Sequence, residues 1–154
     1  MLDAYQHCTP NIRLVLKGTI SPDVSKKILR LENKPMVFPL SPSFKEMRNV
    51  ISGIDIGFIG LSYPNLNNHF ASKATGQLVE FTNYAIPVIV YGLEELGDFV
   101  EKNHCGKYIT LDDFENLPKA IDEIVNQYSY YSSGASSVFN KYYNLESYLN
   151  DLFD

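Results

Sequence analysis

Apolar residues along this chain recur with two alternating periods. Short β-rich runs come first in each cycle, and segments with three-and-four spacing follow them. IRLVLKG (12–18) predicts a buried strand ending at Gly18. Pro22 then falls in the first turn of a helix, where its missing N–H costs nothing, and VSKKILRL continues it. PMVFP (35–39) predicts a short strand bracketed by prolines, and SFKEMRNVI (43–51) sets Phe44, Met47, Val50 and Ile51 on one helical stripe. DIGFIGLS (55–62) predicts a strand and YPNLNNHFAS (63–72) a polar loop. The pattern repeats with a helix from about Thr75, a strand at PVIVYG (87–92), a helix over LEELGDFVEKN (93–103) and a short strand at GKYIT (106–110). Phe114, Leu117, Ile121, Ile124 and Tyr128 then trace a long amphipathic helix. The patch YSYYSSGASS (128–137) reads as a bend before a second C-terminal helix around 138–152.

Strand–helix alternation of this regularity predicts an α/β fold: a Rossmann-like parallel sheet of about five strands flanked by helices. With 154 residues the chain fits one domain, 1–154, with 128–154 as a C-terminal helical tail. No run reaches the length of a membrane span, and no charged-then-apolar leader opens the chain. Cys8 and Cys105 predict two unpaired thiols in a reducing compartment, so the expected address is cytoplasmic. His7, His69 and His104 show no metal-ligand spacing with the cysteines, so no metal is expected. The net charge of −5 hides an asymmetry: residues 1–50 carry net +4 and residues 51–154 net −9. The basic third is either a solvated face or a surface for an anion or acidic partner. No arginine-rich block or aromatic-interleaved basic run points to nucleic acid.

In open parallel sheets ligands collect beyond the carboxyl ends of the strands. That edge holds Lys17, Gly18 and Thr19, Pro39 to Ser43, Gly60 to Ser62, the 63–75 loop and Tyr91 to Leu93. SKATG (72–76) supplies two hydroxyls, a lysine and a glycine where a helix is expected to begin. A helix start carries unpaired N–H groups and a positive dipole end, which suit a phosphate. Ser72 or Thr75 serves equally well as a simple N-cap. One turn further in, Gln77, Glu80 and Tyr84 share a stripe. A carboxylate there either accepts two hydrogen bonds from a ribose diol or is an ordinary surface glutamate.

The segment SKATGQLVEFTNYAIPVIV (72–90) resembles the donor-binding segment of GT-B glycosyltransferases, especially glycosyltransferase family 4, also called group 1. That pattern runs from a proline or serine through lysine, two apolar residues, glutamate, an aromatic and small residues to a Pro-Val-Ile strand. Glu80 stands seven residues before Pro87, as the pattern requires. RLVLKG resembles the second strand of the family's C-terminal domain, MVFP its base-binding turn, and LGDFVEKNHCGKYI its last helix and strand. The resemblance implies a nucleoside-diphosphate sugar as donor and no cofactor. It places Glu80 on the ribose hydroxyls, Thr75 and Gly76 at the diphosphate, backbone near Phe38 and Pro39 at the base, and Lys17 or the Gly18 turn against phosphate. The chain departs from the pattern at Ser72, where the family often has a sugar-contacting acid, and at Gln77, where it has a lysine; Lys73 is out of register. The first strand of the family's domain has no counterpart, so a gap is expected between IRLVLKG and DIGFIG.

The expected function is therefore the donor-binding half of a glycosyltransferase, as a fragment or subunit that is inactive alone. Its partners would be a nucleotide sugar and an N-terminal acceptor-binding domain or subunit, with peripheral membrane contact open. Two competing readings are a non-catalytic interaction module of the same fold and one half of a sugar-nucleotide epimerase. A flavodoxin-like or receiver-like domain fits poorly, because the first strand ends in lysine and glycine and not in an acidic cluster.

Overall fold

Among the described residues, five parallel strands are divided between two sheets. The computed structural model describes residues 2–8, 11–17, 21–32, 35–38, 44–60, 75–146 and 149. Strand β1 (Val15–Lys17) pairs with β2 (Met36–Phe38). Strands β3 (Gly57–Gly60), β4 (Val88–Tyr91) and β5 (Gly106–Ile109) form a second sheet in that order. Helices α1 (Leu2–Tyr5), α2 (Pro22–Leu29), α3 (Phe44–Ile51), α4 (Gly76–Asn83), α5 (Glu94–Lys102), α6 (Leu117–Asn126) and α7 (Tyr128–Tyr142) surround them, with a 3₁₀ turn at Phe114–Asn116 ahead of α6. All five expected strands are present. They do not form one sheet: β1 and β3 do not pair with each other among the described residues, and the break falls at the gap expected between IRLVLKG and DIGFIG.

The three-stranded sheet is covered on both faces. Val88, Val90 and Ile59 face α4, α5 and α7, packing with Leu78, Leu96, Val100, Ala135 and Val138. Ile89 and Ile109 face the other way, onto Leu117, Ile121 and Ile124 of α6 and Tyr131 of α7. β4 lies between two strands with both faces covered, which explains its unbroken β-branched run, Val88-Ile89-Val90. Gly57 lets helix α4 approach: a Cβ there would stand 2.6 Å from the Phe81 ring.

The N-terminal segment ties the two sheets together. Leu2, Tyr5 and Leu31 form a core over β1 with Leu14 and Leu16. The Tyr5 hydroxyl donates to the Ile12 carbonyl and accepts from the Leu14 N–H, both at 3.3 Å. Cys8 and Ile12 touch this core and also the α6 face of the second sheet, and α1 rests on α6.

The C-terminal region differs from the sequence expectation. The Phe114–Tyr128 stripe is divided at Gln127, and the serine–tyrosine patch is not a bend but the body of α7. Its small residues are what the packing requires. Gly134 lies against the backbone carbonyl of His104 with no room for a Cβ, Ala135 is fully buried, and Ser132 donates to the Ala85 carbonyl at 2.8 Å. Ala85 precedes β4 and His104 precedes β5, so α7 crosses the amino end of the sheet and leaves the carboxyl end to other segments. Of the predicted 138–152 helix, α7 supplies the part to Tyr142, and residues 147, 148, 150 and 151–154 lie outside the described residues.

Candidate functional site

Helix α4 starts where the sequence predicts. Thr75 is its N-cap, with extended backbone and a hydroxyl that accepts the Leu78 N–H at 3.1 Å. The Thr75 carbonyl accepts from Val79. These two bonds leave the Gly76 and Gln77 N–H groups without a cap from Thr75. Gly76 is exposed, and a Cβ built on it would meet nothing within 4 Å. Leu78 and Thr82 anchor the opposite face in the core, and the buried Thr82 hydroxyl donates to the Leu78 carbonyl at 2.7 Å. Gln77 is exposed.

Electrostatics set this helix start apart from its counterparts. The first turn of α2 carries Asp23, that of α3 Glu46, and that of α5 both Glu94 and Glu95. The first turn of α4 carries no acidic side chain. Among the described helices, α4 shares this with α6 and α7, whereas α2, α3 and α5 have their positive dipole ends balanced by a local carboxylate. An α-helix following a parallel strand runs back along the sheet, so this start lies toward the carboxyl ends of the strands.

Glu80 is half-buried, one turn inside α4, and has no hydrogen-bond or ion-pair partner among the described residues. It lines a groove of about 320 Å³ together with Gly76, Val79, Asn83 and Tyr84 of the same helix and Arg48 of α3. Glu80 and Tyr84 therefore share a face, as their spacing predicts, while Gln77 stands apart from the groove. Val79 is half-buried and lines the groove as well.

The other sequence candidates are distributed unevenly. Lys17 ends β1 and Phe38 ends β2, placing both backbones at carboxyl strand ends; nothing of their side chains is described. Gly18, Pro39, Ser72 and Lys73 lie outside the described residues. Sequence reasoning missed Arg48 and Asn83. The stripe of α3 is defined by Met47, Val50 and Ile51, and nothing local indicates that Arg48, one residue past Met47, faces another helix. Among the described residues no group of histidine, cysteine, aspartate and glutamate could hold a metal ion, and no helix is long and apolar enough to cross a membrane.

The architecture is that of a Rossmann-like α/β domain, and two solved structures share this fold. The chain superimposes on HepE from Anabaena, solved in complex with UDP-glucose, with a TM-score of 0.70 and 17% identity over 90% of this chain. It superimposes on WaaG, a glycosyltransferase involved in lipopolysaccharide biosynthesis, with a TM-score of 0.57 and 17% identity, again over 90% of this chain. The chain spans 38% of the HepE chain and 37% of the WaaG chain. No protein-family model and no curated protein sequence matches it.

Proposed function

We propose that this chain is the nucleotide-sugar-binding domain of a glycosyltransferase. In this reading the donor diphosphate docks at the start of α4, against the Gly76 and Gln77 N–H groups. The ribose diol donates to the carboxylate of Glu80. The observation that carries the reading is Glu80 itself: a half-buried carboxylate without a partner among the described residues, one turn inside a helix whose first turn carries no acid. A charge-assisted pair of hydrogen bonds from a diol would satisfy it. The bound UDP-glucose of the HepE structure supports the ligand class.

Catalysis belongs to a fuller assembly. Transfer requires an acceptor site and closure that excludes water, and this chain spans under two-fifths of either neighbour. The domain binds the donor and a second domain or subunit presents the acceptor. Calorimetric titration of the purified chain with UDP, GDP and ADP tests the reading: at least one nucleotide binds, and Glu80→Gln weakens it roughly tenfold or more, the worth of a charge-assisted bond. A folded chain that binds none of the three is instead an interaction module of the same fold.

A further inference from the structure

Hydrogen-bond directions in the two sheets show which backbone groups remain open. In a parallel ladder, alternate residues turn their N–H and C=O groups to opposite sides of the strand. Met36 donates its N–H to the Leu14 carbonyl at 2.9 Å, so Leu14 and Leu16 turn toward β2 and Val15 turns away. Gly57 donates its N–H to the Pro87 carbonyl at 2.9 Å, so Gly57 and Ile59 turn toward β4, and Phe58 and Gly60 turn away. Val15 on β1, and Phe58 and Gly60 on β3, therefore present N–H and C=O groups that pair with no other strand among the described residues.

These open edges stand on the same side of the molecule. Helix α3, which leads from β2 to β3, shares a groove with α4, and α4 lies over β3 with its Phe81 ring against Gly57. Helix α5 lies over β5 instead, with Gly97 against the Tyr108 ring. The β1–β2 pair thus stands beside β3 and not beyond β5. The resulting order, β2-β1 and then β3-β4-β5, is that of a doubly wound 3-2-1-4-5-6 sheet, with the position of strand 1 between β1 and β3. Side chains flanking that position are apolar and incompletely covered. Val15, Ile56 and Phe58 are half-buried, whereas Val88, Ile89 and Val90 of β4 are at most 1% exposed.

We propose that the position between β1 and β3 is an interaction site that takes one extended apolar segment of a partner polypeptide as a parallel strand. Main-chain bonds to both neighbours supply the affinity, as in other cases of strand addition. A strand covered on both faces is apolar at successive positions, as β4 is. A second copy of this chain does not fit. Each of its described strands keeps one edge paired within its own sheet, and the site needs a strand with both edges free. The site is separate from the Glu80 groove and does not depend on nucleotide binding.

The test uses the 154-residue chain and a model strand, the end-blocked peptide Lys-Lys-Val-Ile-Val-Val-Lys-Lys, with amide hydrogen exchange read by NMR. In the chain alone, the Val15, Phe58 and Gly60 amides exchange about tenfold or more faster than those of Leu16 and Ile59, which bond within the ladders. Saturating peptide slows the three open amides by about tenfold or more and leaves the outer edges of β2 and β5 unchanged. The same peptide N-methylated at its isoleucine and last valine binds about tenfold more weakly, because it has lost donors. Val15→Pro removes an outward N–H without touching the β1–β2 ladder, so the variant folds and also binds the peptide about tenfold more weakly. Should that variant not fold, the N-methylated peptide makes the same comparison on the wild-type chain. Phe58 and Gly60 amides already protected in the chain alone would show that the edge is closed, and overturn the proposal. A peptide that does not bind, that protects the outer edge of β2 or β5 instead, or that binds equally well when N-methylated overturns it too.

Discussion

Ser132, in the middle of α7, donates its hydroxyl proton to the carbonyl of Ala85, 47 residues earlier in the chain, at 2.8 Å. Ala85 sits at φ 55° in the turn between α4 and β4. The bond fixes the C-terminal helix to the turn that separates the Glu80 helix from the central strand. Two residues on, Gly134 presses against the carbonyl of His104, which itself sits at φ 54°. Both contacts pair α7 with a left-handed turn residue just ahead of a strand.

That arrangement makes α7 sensitive to small additions of volume. Gly134→Ala is predicted to destabilise the protein by about 1–3 kcal/mol, because backbone, unlike a flexible side chain, cannot give way to the new Cβ. Ser132→Ala is predicted to cost about 1 kcal/mol through the lost hydrogen bond. Urea unfolding followed by far-ultraviolet circular dichroism measures both; a Gly134→Ala midpoint equal to wild type would show that α7 does not dock as described.

Thr75 and Glu80 separate stability from binding. Thr75 caps α4, so Thr75→Ala is predicted to lower stability by about 1 kcal/mol. Glu80 has no partner to lose among the described residues, so Glu80→Gln leaves the unfolding midpoint unchanged while weakening nucleotide binding by about 1–3 kcal/mol. Thermal melts run beside calorimetric titrations of the same preparations check the split. A Glu80→Gln protein with a lowered melting temperature would mean the carboxylate has a structural role.

Glu123 predicts a pH dependence. Its Oε1 accepts from the Tyr131 hydroxyl at 2.8 Å and from Lys107 Nζ at 3.0 Å, and these bonds hold its carboxyl below the ordinary value. A depressed folded pKa stabilises the fold above the unfolded carboxylate range and loses that contribution as pH falls through the folded value. The same bond acts with the opposite sign on Tyr131, whose phenol is pushed up to about 12 by burial first and the Glu123 carboxylate second. Its contribution is complete below the ordinary value of 10.0 and lost as pH rises from there to about 12. Glu123→Gln is therefore predicted to flatten stability against pH at both ends. The glutamate is partly exposed, so the effect is small, and salt reduces the Lys107 share of it. Melting temperatures collected across pH 3 to 11 decide the matter, and an unchanged profile in the variant counts against the network.

The two thiols should react at different rates. Cys105 is fully buried, and burial pushes its thiol up to about 12. Cys8 is partly exposed, and its smaller upward shift comes from burial first and Asp122 second. Because the thiolate is the reactive form, a disulfide reagent at pH 8 is predicted to label Cys8 slowly and Cys105 only after denaturant is added. Peptide mass mapping of the labelled sites tells them apart, and Cys105 labelled first in native protein would contradict its placement in the core.

Local sequence determined a good deal of this protein. The alternation of β-branched runs with three-and-four spacing fixed all five strands and most helices, because each strand needs only its own apolar face and each helix only its own stripe. Pro22 marked the first turn of α2, Thr75 marked the start of α4, and the same-face relation of Glu80 and Tyr84 followed from helical spacing. These are short-range consequences of backbone hydrogen bonding and side-chain period. Tertiary structure alone decided the rest. The serine–tyrosine patch looked like a bend because serine, glycine and tyrosine are weak helix formers in isolation; packing against Ala85 and His104 made it a helix, and its small residues are small for that contact. Arg48 meets Glu80 across a groove that no local pattern announces, since a helix period says which residues share a face but not which other helix that face will meet.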